Sequence, residues 1–505
     1  MRYLVGLDIG TSGAKCILSD ESGRVVASKT VEYPLYTPKP GWAEQNPEDW
    51  YRGICEGANH IMKASGVKAE DIAGLSLSGQ MHGLVALDRD YKVIRPSILW
   101  CDQRTQKQCD WITAKAQARG GLLSFTNNAM LTGYTGGKIL WLRDEEPENF
   151  ERMKVFCCPK DYIRFMLTGV VATDVSDASG TGFFDTKRRA WSKELIELAG
   201  LDMSIFPQSL ESTELAGTVT KEAARLTGLP EGLKVYAGGG DAVIQTTGSG
   251  LVKPGILGVV VGTAGNVAMG FKGYHDNPDG KLQVFCNNAP GLWHSLGCTL
   301  AAGSAYRWYR DTLCEGDVVK AKADGKNVYD LMGAQAESSR PGSNGVVFLP
   351  YLAGERCPYP DPNCRGVFYG MSLSTTRGDM TRSVMEGVTY SLKQVADLVK
   401  RIAPAEKIYT SGGGSASALW RQIQADVFEL PVYTMSAASE GGAYGAVLVA
   451  GVGAGIWSNL DEAITVLKVE TETLPNPANR QAYADGFGVY EALYPSLKPV
   501  FDMNN

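Results

Sequence analysis

Apolar residues in this chain come in short runs that end on glycine. Residues 3–9 and 14–20 read as two strands around a turn at Gly10–Gly13, and residues 24–31 read as a third. A helix is predicted to start near Pro47, with Glu48 and Asp49 in its first turn, where acidic side chains suit the helix dipole. Residues 72–78 form a short strand ending at Gly79-Gln80-Met81-His82-Gly83. Residues 233–237 form another, ending at Gly238-Gly239-Gly240-Asp241. Near residue 255 the strand–turn–strand theme restarts, and helices then alternate with strands to the end. Interleaved strands and helices predict an α/β fold with layered sheets. The stretch 246–256, which holds Gly248, Gly250, Pro254 and Gly255, places a break between residues 1–247 and 248–505.

The restart is close to a repeat. Residues 9–13 read Ile-Gly-Thr-Ser-Gly, residues 261–265 read Val-Gly-Thr-Ala-Gly, and each follows a β-rich apolar run. Such a turn brings backbone amides close to an anion, because glycine carries no Cβ and tolerates positive φ. The hydroxyls of Thr11, Ser12 and Thr263 add donors. One loop per half predicts two domains closing on one polyphosphate.

Composition narrows the partners. At 505 residues the chain exceeds one hydrophobic core, and its 44% hydrophobic content is that of a soluble globular protein. The net charge of -6 argues against nucleic acid as a partner. The eleven cysteines include no Cys-x-x-Cys pair and read as free thiols of a reducing cytoplasm. Asp8 falls too early for a signal peptide, and no apolar run reaches the ~18 residues of a membrane span. A cytoplasmic enzyme with no membrane or nucleic-acid partner is expected, with a homodimer allowed.

Several positions carry chemistry. Asp8 precedes the first glycine turn, where the second has Val260. An aspartate beside phosphates holds Mg²⁺ through its waters; the alternative is a turn-capping role. Lys15 either reaches a phosphate or covers surface. Asp241 follows three glycines at a strand end, placed to accept a proton from a substrate hydroxyl. Gln80 and His82 are candidates to hydrogen-bond a polyol while Met81 packs on its carbon face; a satisfied structural histidine is the alternative. Asp102, in Trp100-Cys101-Asp102-Gln103-Arg104, is a further sugar-binding candidate, against a salt-bridged surface loop. Gly412-Gly413-Gly414, between a strand at 407–410 and a helix with Trp420 and Arg421, suits a nucleotide. It is neither a Walker loop nor a dinucleotide fingerprint. Residues 440–446 predict a closely packing helix of small residues.

Together these pieces resemble the FGGY carbohydrate kinases over the whole chain. Gly133-Tyr134-Thr135-Gly136-Gly137-Lys138 through Glu145 fits that family's first signature, and Gly366-Val367-Phe368-Tyr369-Gly370-Met371 through Glu386 fits the second. Residues 79–83, 159–162, 176–181 and 352–356 point to the members that act on xylulose. The resemblance implies two actin-like (ribonuclease H-like) ATPase domains with an interdomain active-site cleft, ATP and Mg²⁺, and a small sugar as substrate. It implies Asp241 as general base and Met81 and His82 as sugar contacts. Asp8, Gly10, Thr11 and Ser12 would lie at the metal and γ-phosphate, Gly262 and Thr263 at phosphates, and Gly413 and Gly414 beside adenosine. The expected reaction is ATP-dependent phosphorylation of a ketopentose, D-xylulose to D-xylulose 5-phosphate foremost. Ribulose, glycerol, erythritol and gluconate are the alternative substrates, and a non-metabolic actin-like ATPase is the alternative class. Two departures stand out: Ala242 where many such kinases carry Asn, and Ala264 where the loop usually has Ser.

Overall fold

The computed structural model describes residues 1–436 and 440–504. The chain divides into two compact units. One comprises Met1–Lys253, Gly270–His294 and Glu440–Leu467; the other comprises Pro254–Met269, Ser295–Ser439 and Lys468–Asn505. Among the described residues no helix is long and apolar enough to cross a membrane.

The first unit is built on a mixed sheet. Its strands lie in the order Leu215–Thr218, Lys234–Tyr236, Ile72–Gly79, Tyr3–Ile9, Gly13–Asp20 and Val25–Glu32, with Gly239–Gly240 also pairing on Ile72–Gly79. Leu4, Val5, Leu7 and Ile9 are all fully buried, as expected of a central strand covered on both faces. The helix Pro47–Ser65 lies on the second and third strands of the chain, and its apolar face (Trp50, Ile54, Ala58, Ile61) joins their core. Asn46 caps its start, accepting from the Glu48 amide, and Gly66 ends it at φ 63°.

Register decides where the chemistry falls. Ile9 pairs in parallel with Gly79, and Gly79 with Gly240. The 10–13 turn, the 80–83 loop and Asp241 therefore leave adjacent strands at the same carboxyl edge, where ligands of open α/β sheets bind. Gly238 makes the last of these possible. Its φ is 81°, and a Cβ there would stand 2.1 Å from the Leu77 carbonyl oxygen.

The small-residue helix Gly441–Gly453 covers the Tyr3–Ile9 and Ile72–Gly79 strands and the helix Asp241–Gly248. The approach is close: a Cβ on Gly445 would meet the Ile244 carbonyl oxygen at 2.0 Å. Gly445→Val should therefore destabilise the fold by about 1–3 kcal/mol, the usual cost of overpacking. A thermal melt checks this, and an unchanged midpoint would contradict the packing described.

The second unit repeats the device. Ile256–Val261 pairs antiparallel with the strand that begins at Gly265, Val261 facing Gly265, and parallel with Lys407–Ser411, Val260 facing Ser411. Its sheet continues through Val432–Met435 to Val469–Thr473. The Gly262–Ala264 turn and the glycine loop from Gly412 thus emerge side by side. Gly412 has φ 84°, and a Cβ on it would press on Val261. A short turn, Gly413–Ala416, leads into the helix Ala418–Phe428, capped by Ser417.

Candidate active site

In the first unit, Asp241 is the first residue of its helix, at the positive end of the helix dipole. One carboxylate oxygen accepts from the Ala242 amide at 2.7 Å, and the Met81 amide also donates to the group. The side chain keeps an accessible face. Burial, followed by the charge of Asp8, pushes its pKa up to about 7. Asp8 itself accepts from the Ser78 hydroxyl at 2.6 Å, and burial raises its pKa against the opposing effects of Ser78 and Lys15. The Lys15 ammonium lies 2.8 Å from the Glu440 carboxylate.

The Asp8 carboxylate, whose charge opposes the ionisation of Asp241, gives this edge of the sheet oxygen donors of the kind a hard cation takes. Oxygen donors of this kind suit the Mg²⁺ implied for a kinase. A second acidic group, Cys158, Asp161 and Asp177, also converges. Its positive charge is already supplied by Lys160, whose Nζ lies 2.5, 2.8 and 3.1 Å from Asp161, Asp174 and Asp177.

The 79–83 loop divides its labour. Gln80 is buried, and its amide group is spent on the protein: it accepts from the Thr11 hydroxyl at 3.2 Å and donates to Gln45 at 2.9 Å. The Thr11 hydroxyl in turn accepts from the Trp100 indole at 2.9 Å. Gln80 and Thr11 thus link the glycine turn to the neighbouring loop. Met81 is buried beside Asp241, where a Cβ on Gly240 would touch its thioether. His82 is half-buried, stacks on Tyr134 at 4.7 Å, and its Nδ1–H donates to the Gly180 carbonyl at 2.6 Å. In the neutral ring this leaves the lone pair on Nε2.

Asp102 has no accessible surface. Its carboxylate takes two bonds from the Arg104 guanidinium and one from the Ala43 amide, so it braces the loop. Arg104 is equally committed, to Asp102 and Glu44, and lies over the Trp42 ring.

Lys138 was legible only as part of a motif, yet it holds the 79–83 loop. It is fully buried, and its ammonium donates to the carbonyls of His82 (2.7 Å) and Gly133 (2.6 Å). Burial pulls its pKa down to about 7, against the charge of Asp102. His82 needs the anchor because its φ is 72°. A lysine followed by Ile139, Leu140 and Trp141 was the available signal. Lys138→Met should raise the KM for the acceptor sugar roughly 10-fold and leave the nucleotide KM unchanged. Steady-state kinetics checks this; equal shifts in both would contradict it.

Gly10 closes its turn by donating from its amide to Gly13 at 3.0 Å, and Ser12 is exposed beside it. In the second unit a cavity of about 640 Å³ is lined by Gly262, Thr263, Gly413, Gly414, Tyr329 and Trp420. It brings the second phosphate-loop candidate and the glycine loop into one pocket with aromatic walls, the shape expected for a nucleoside with its phosphates.

Two adjoining sequence models match: the FGGY family of carbohydrate kinases N-terminal domain over residues 3–248 and its C-terminal domain over residues 258–454. The chain belongs to this family and is a carbohydrate kinase. It is 36% identical to the xylulose kinase of Bacillus subtilis (strain 168) over 99% of this chain and 98% of that one. It is similar in structure to the xylulose kinase of Rhodospirillum rubrum (TM-score 0.91, 30% identity, 99% and 100% of the two chains). The gluconate kinase of Lactobacillus acidophilus is similar as well (TM-score 0.92, 26% identity, 100% of both chains). These likenesses accord with a two-domain α/β sugar kinase, and sugar kinases of this family use ATP.

Proposed function

We propose that this kinase transfers the γ-phosphoryl group of ATP to the 5-hydroxyl of D-xylulose, with Asp241 as general base. The supporting observation is Asp241 itself: a carboxylate at a helix start, beside Met81, with its pKa raised to about 7. A base titrating near neutrality is matched to proton removal from an alcohol at physiological pH.

Ionised Asp241 orients the acceptor hydroxyl and takes its proton as the oxygen attacks phosphorus. Phosphoryl transfer has a loose transition state, so alignment and charge stabilisation matter more than bond making. Asp8 would hold Mg²⁺, which neutralises phosphate charge when bound. The amides of Thr11 and Ser12, in the turn that Gly10 closes, and those of Gly262 and Thr263 are the phosphate donors; Gly413 and Gly414 flank adenosine. Met81 and the His82 ring face the sugar.

A neutral sugar is favoured over a sugar acid. A carboxylate substrate needs a cation, and the Arg104 and Lys138 cations near the sugar loop are already committed to Asp102 and Glu44 and to two backbone carbonyls. Ala242 gives its amide to Asp241 but offers the sugar no side-chain hydrogen bond. A panel of D-xylulose, ribulose, glycerol, erythritol and gluconate in a coupled ADP-release assay tests this. D-xylulose should give the highest kcat/KM; gluconate as the best acceptor would overturn the substrate assignment.

A further inference from the structure

We propose that Glu355 is a positioning residue for the turn that grips the nucleotide phosphates. The proposal rests on the reading that Gly262 and Thr263 hold those phosphates. Glu355 lies in Leu352-Ala353-Gly354-Glu355-Arg356, a stretch the catalytic account leaves unused. Its backbone is pinned by exchange with Asp361: the Glu355 amide donates to the Asp361 carbonyl at 2.9 Å and the Asp361 amide returns the bond at 3.0 Å.

The side chain points inward and is 3% exposed. Its oxygen Oε1 accepts from the Leu300 amide at 2.9 Å and from the Arg356 amide at 2.6 Å, and the Cys357 amide also donates to the carboxylate. Leu300 opens a short strap that runs to the phosphate turn. There the Gly303 amide donates to the Gly262 carbonyl at 2.7 Å. The Ala302 and Ser304 amides, each at 3.1 Å, and the Ser304 hydroxyl at 2.7 Å all donate to the Thr263 carbonyl.

Peptide geometry gives this strap its consequence. In a trans peptide the N–H points opposite the C=O of the same unit. Tying back the carbonyls of Gly262 and Thr263 therefore turns the amides of Thr263 and Ala264 to the other side, available to an anion. Glu355 fixes the far end of the strap, and the strap fixes the direction of those amides. Burial also pushes the Glu355 carboxyl up to about 7, so the group keeps its place at the cost of its ionisation.

The second oxygen, Oε2, has no hydrogen-bond partner among the described residues. Glutamine can therefore replace glutamate, its carbonyl oxygen standing for Oε1, whereas alanine leaves the Leu300 amide without this partner. The test is calorimetric titration of wild type, Glu355→Ala, Glu355→Gln and Ser304→Ala with ADP and with adenosine. Glu355→Ala should weaken ADP binding roughly 10-fold and leave adenosine within about 2-fold of wild type. Glu355→Gln should restore ADP binding to within about 3-fold. Ser304→Ala, which cuts one bond at the other end of the strap, should weaken ADP selectively but less. The proposal is overturned if Glu355→Ala binds ADP like wild type, if adenosine weakens as much as ADP, or if Gln fails to restore binding. Should Glu355→Ala not fold, equal effects of Ser304→Ala on both ligands would overturn it. Wild type that binds ADP no more tightly than adenosine would instead remove the phosphate turn's role, and the proposal with it.

Discussion

Replacing Asp241 by alanine should lower kcat at least ~10²-fold while the dissociation constant for ADP stays at its wild-type value. The two halves of that result come from separate parts of the molecule. Asp241 sits at the edge of the first unit's sheet, beside Met81. The cavity proposed for the nucleotide is lined by residues of the second unit. Losing the base removes proton acceptance and hydroxyl alignment but no nucleotide contact. Asp241→Asn should behave the same way, because an amide keeps the shape and cannot take the proton. Turnover within a few-fold of wild type in either variant would remove Asp241 from its role.

The pH profile carries the second large effect. Only ionised Asp241 accepts a proton, so kcat/KM for the sugar should fall about tenfold per pH unit on the acid side of its pKa. With that pKa near 7, the limb should be visible close to neutrality. The charge of Asp8 is the second cause of the shift, after burial. Raising Mg²⁺ should therefore move the limb to lower pH, because a cation on Asp8 cancels the charge opposing ionisation. The same shift appears in stability, with a definite sign. A carboxyl whose folded pKa lies above its unfolded value favours the folded state below the unfolded pKa and loses that contribution as pH rises through the folded one. Asp241→Asn, which cannot ionise, should gain thermal stability relative to wild type between pH 4 and pH 8, by ~1 kcal/mol or more at the upper end. A limb near pH 4, or a stability difference that does not change with pH, would contradict the shifted pKa.

Much of this architecture was legible because its signals are local. Strand runs that end on glycine marked the Tyr3–Ile9, Ile72–Gly79 and Ile256–Val261 strands, and a proline with acidic neighbours marked the helix at Pro47. Parallel register was not legible, since it depends on which strands meet, and it is register that places Asp241 beside the 80–83 loop. Side-chain commitment was also hidden. Gln80, Thr11 and Asp102 have the donors and acceptors of ligand contacts, but their partners Gln45, Trp100 and Arg104 become neighbours only after folding. Lys138 was hidden for the converse reason: a buried lysine has meaning only once the two carbonyls it grips are known.

The most direct test is ³¹P NMR of wild-type protein with ATP, Mg²⁺ and D-xylulose. The account predicts a phosphomonoester resonance split by two protons of a CH₂ that itself couples to a neighbouring CH, as phosphate on C5 requires and phosphate on C1 beside the ketone does not, growing in step with ADP, and at least ~10²-fold slower with Asp241→Asn. Orthophosphate released at the same rate with or without the sugar, or phosphate attached elsewhere on the chain of carbons, would contradict it.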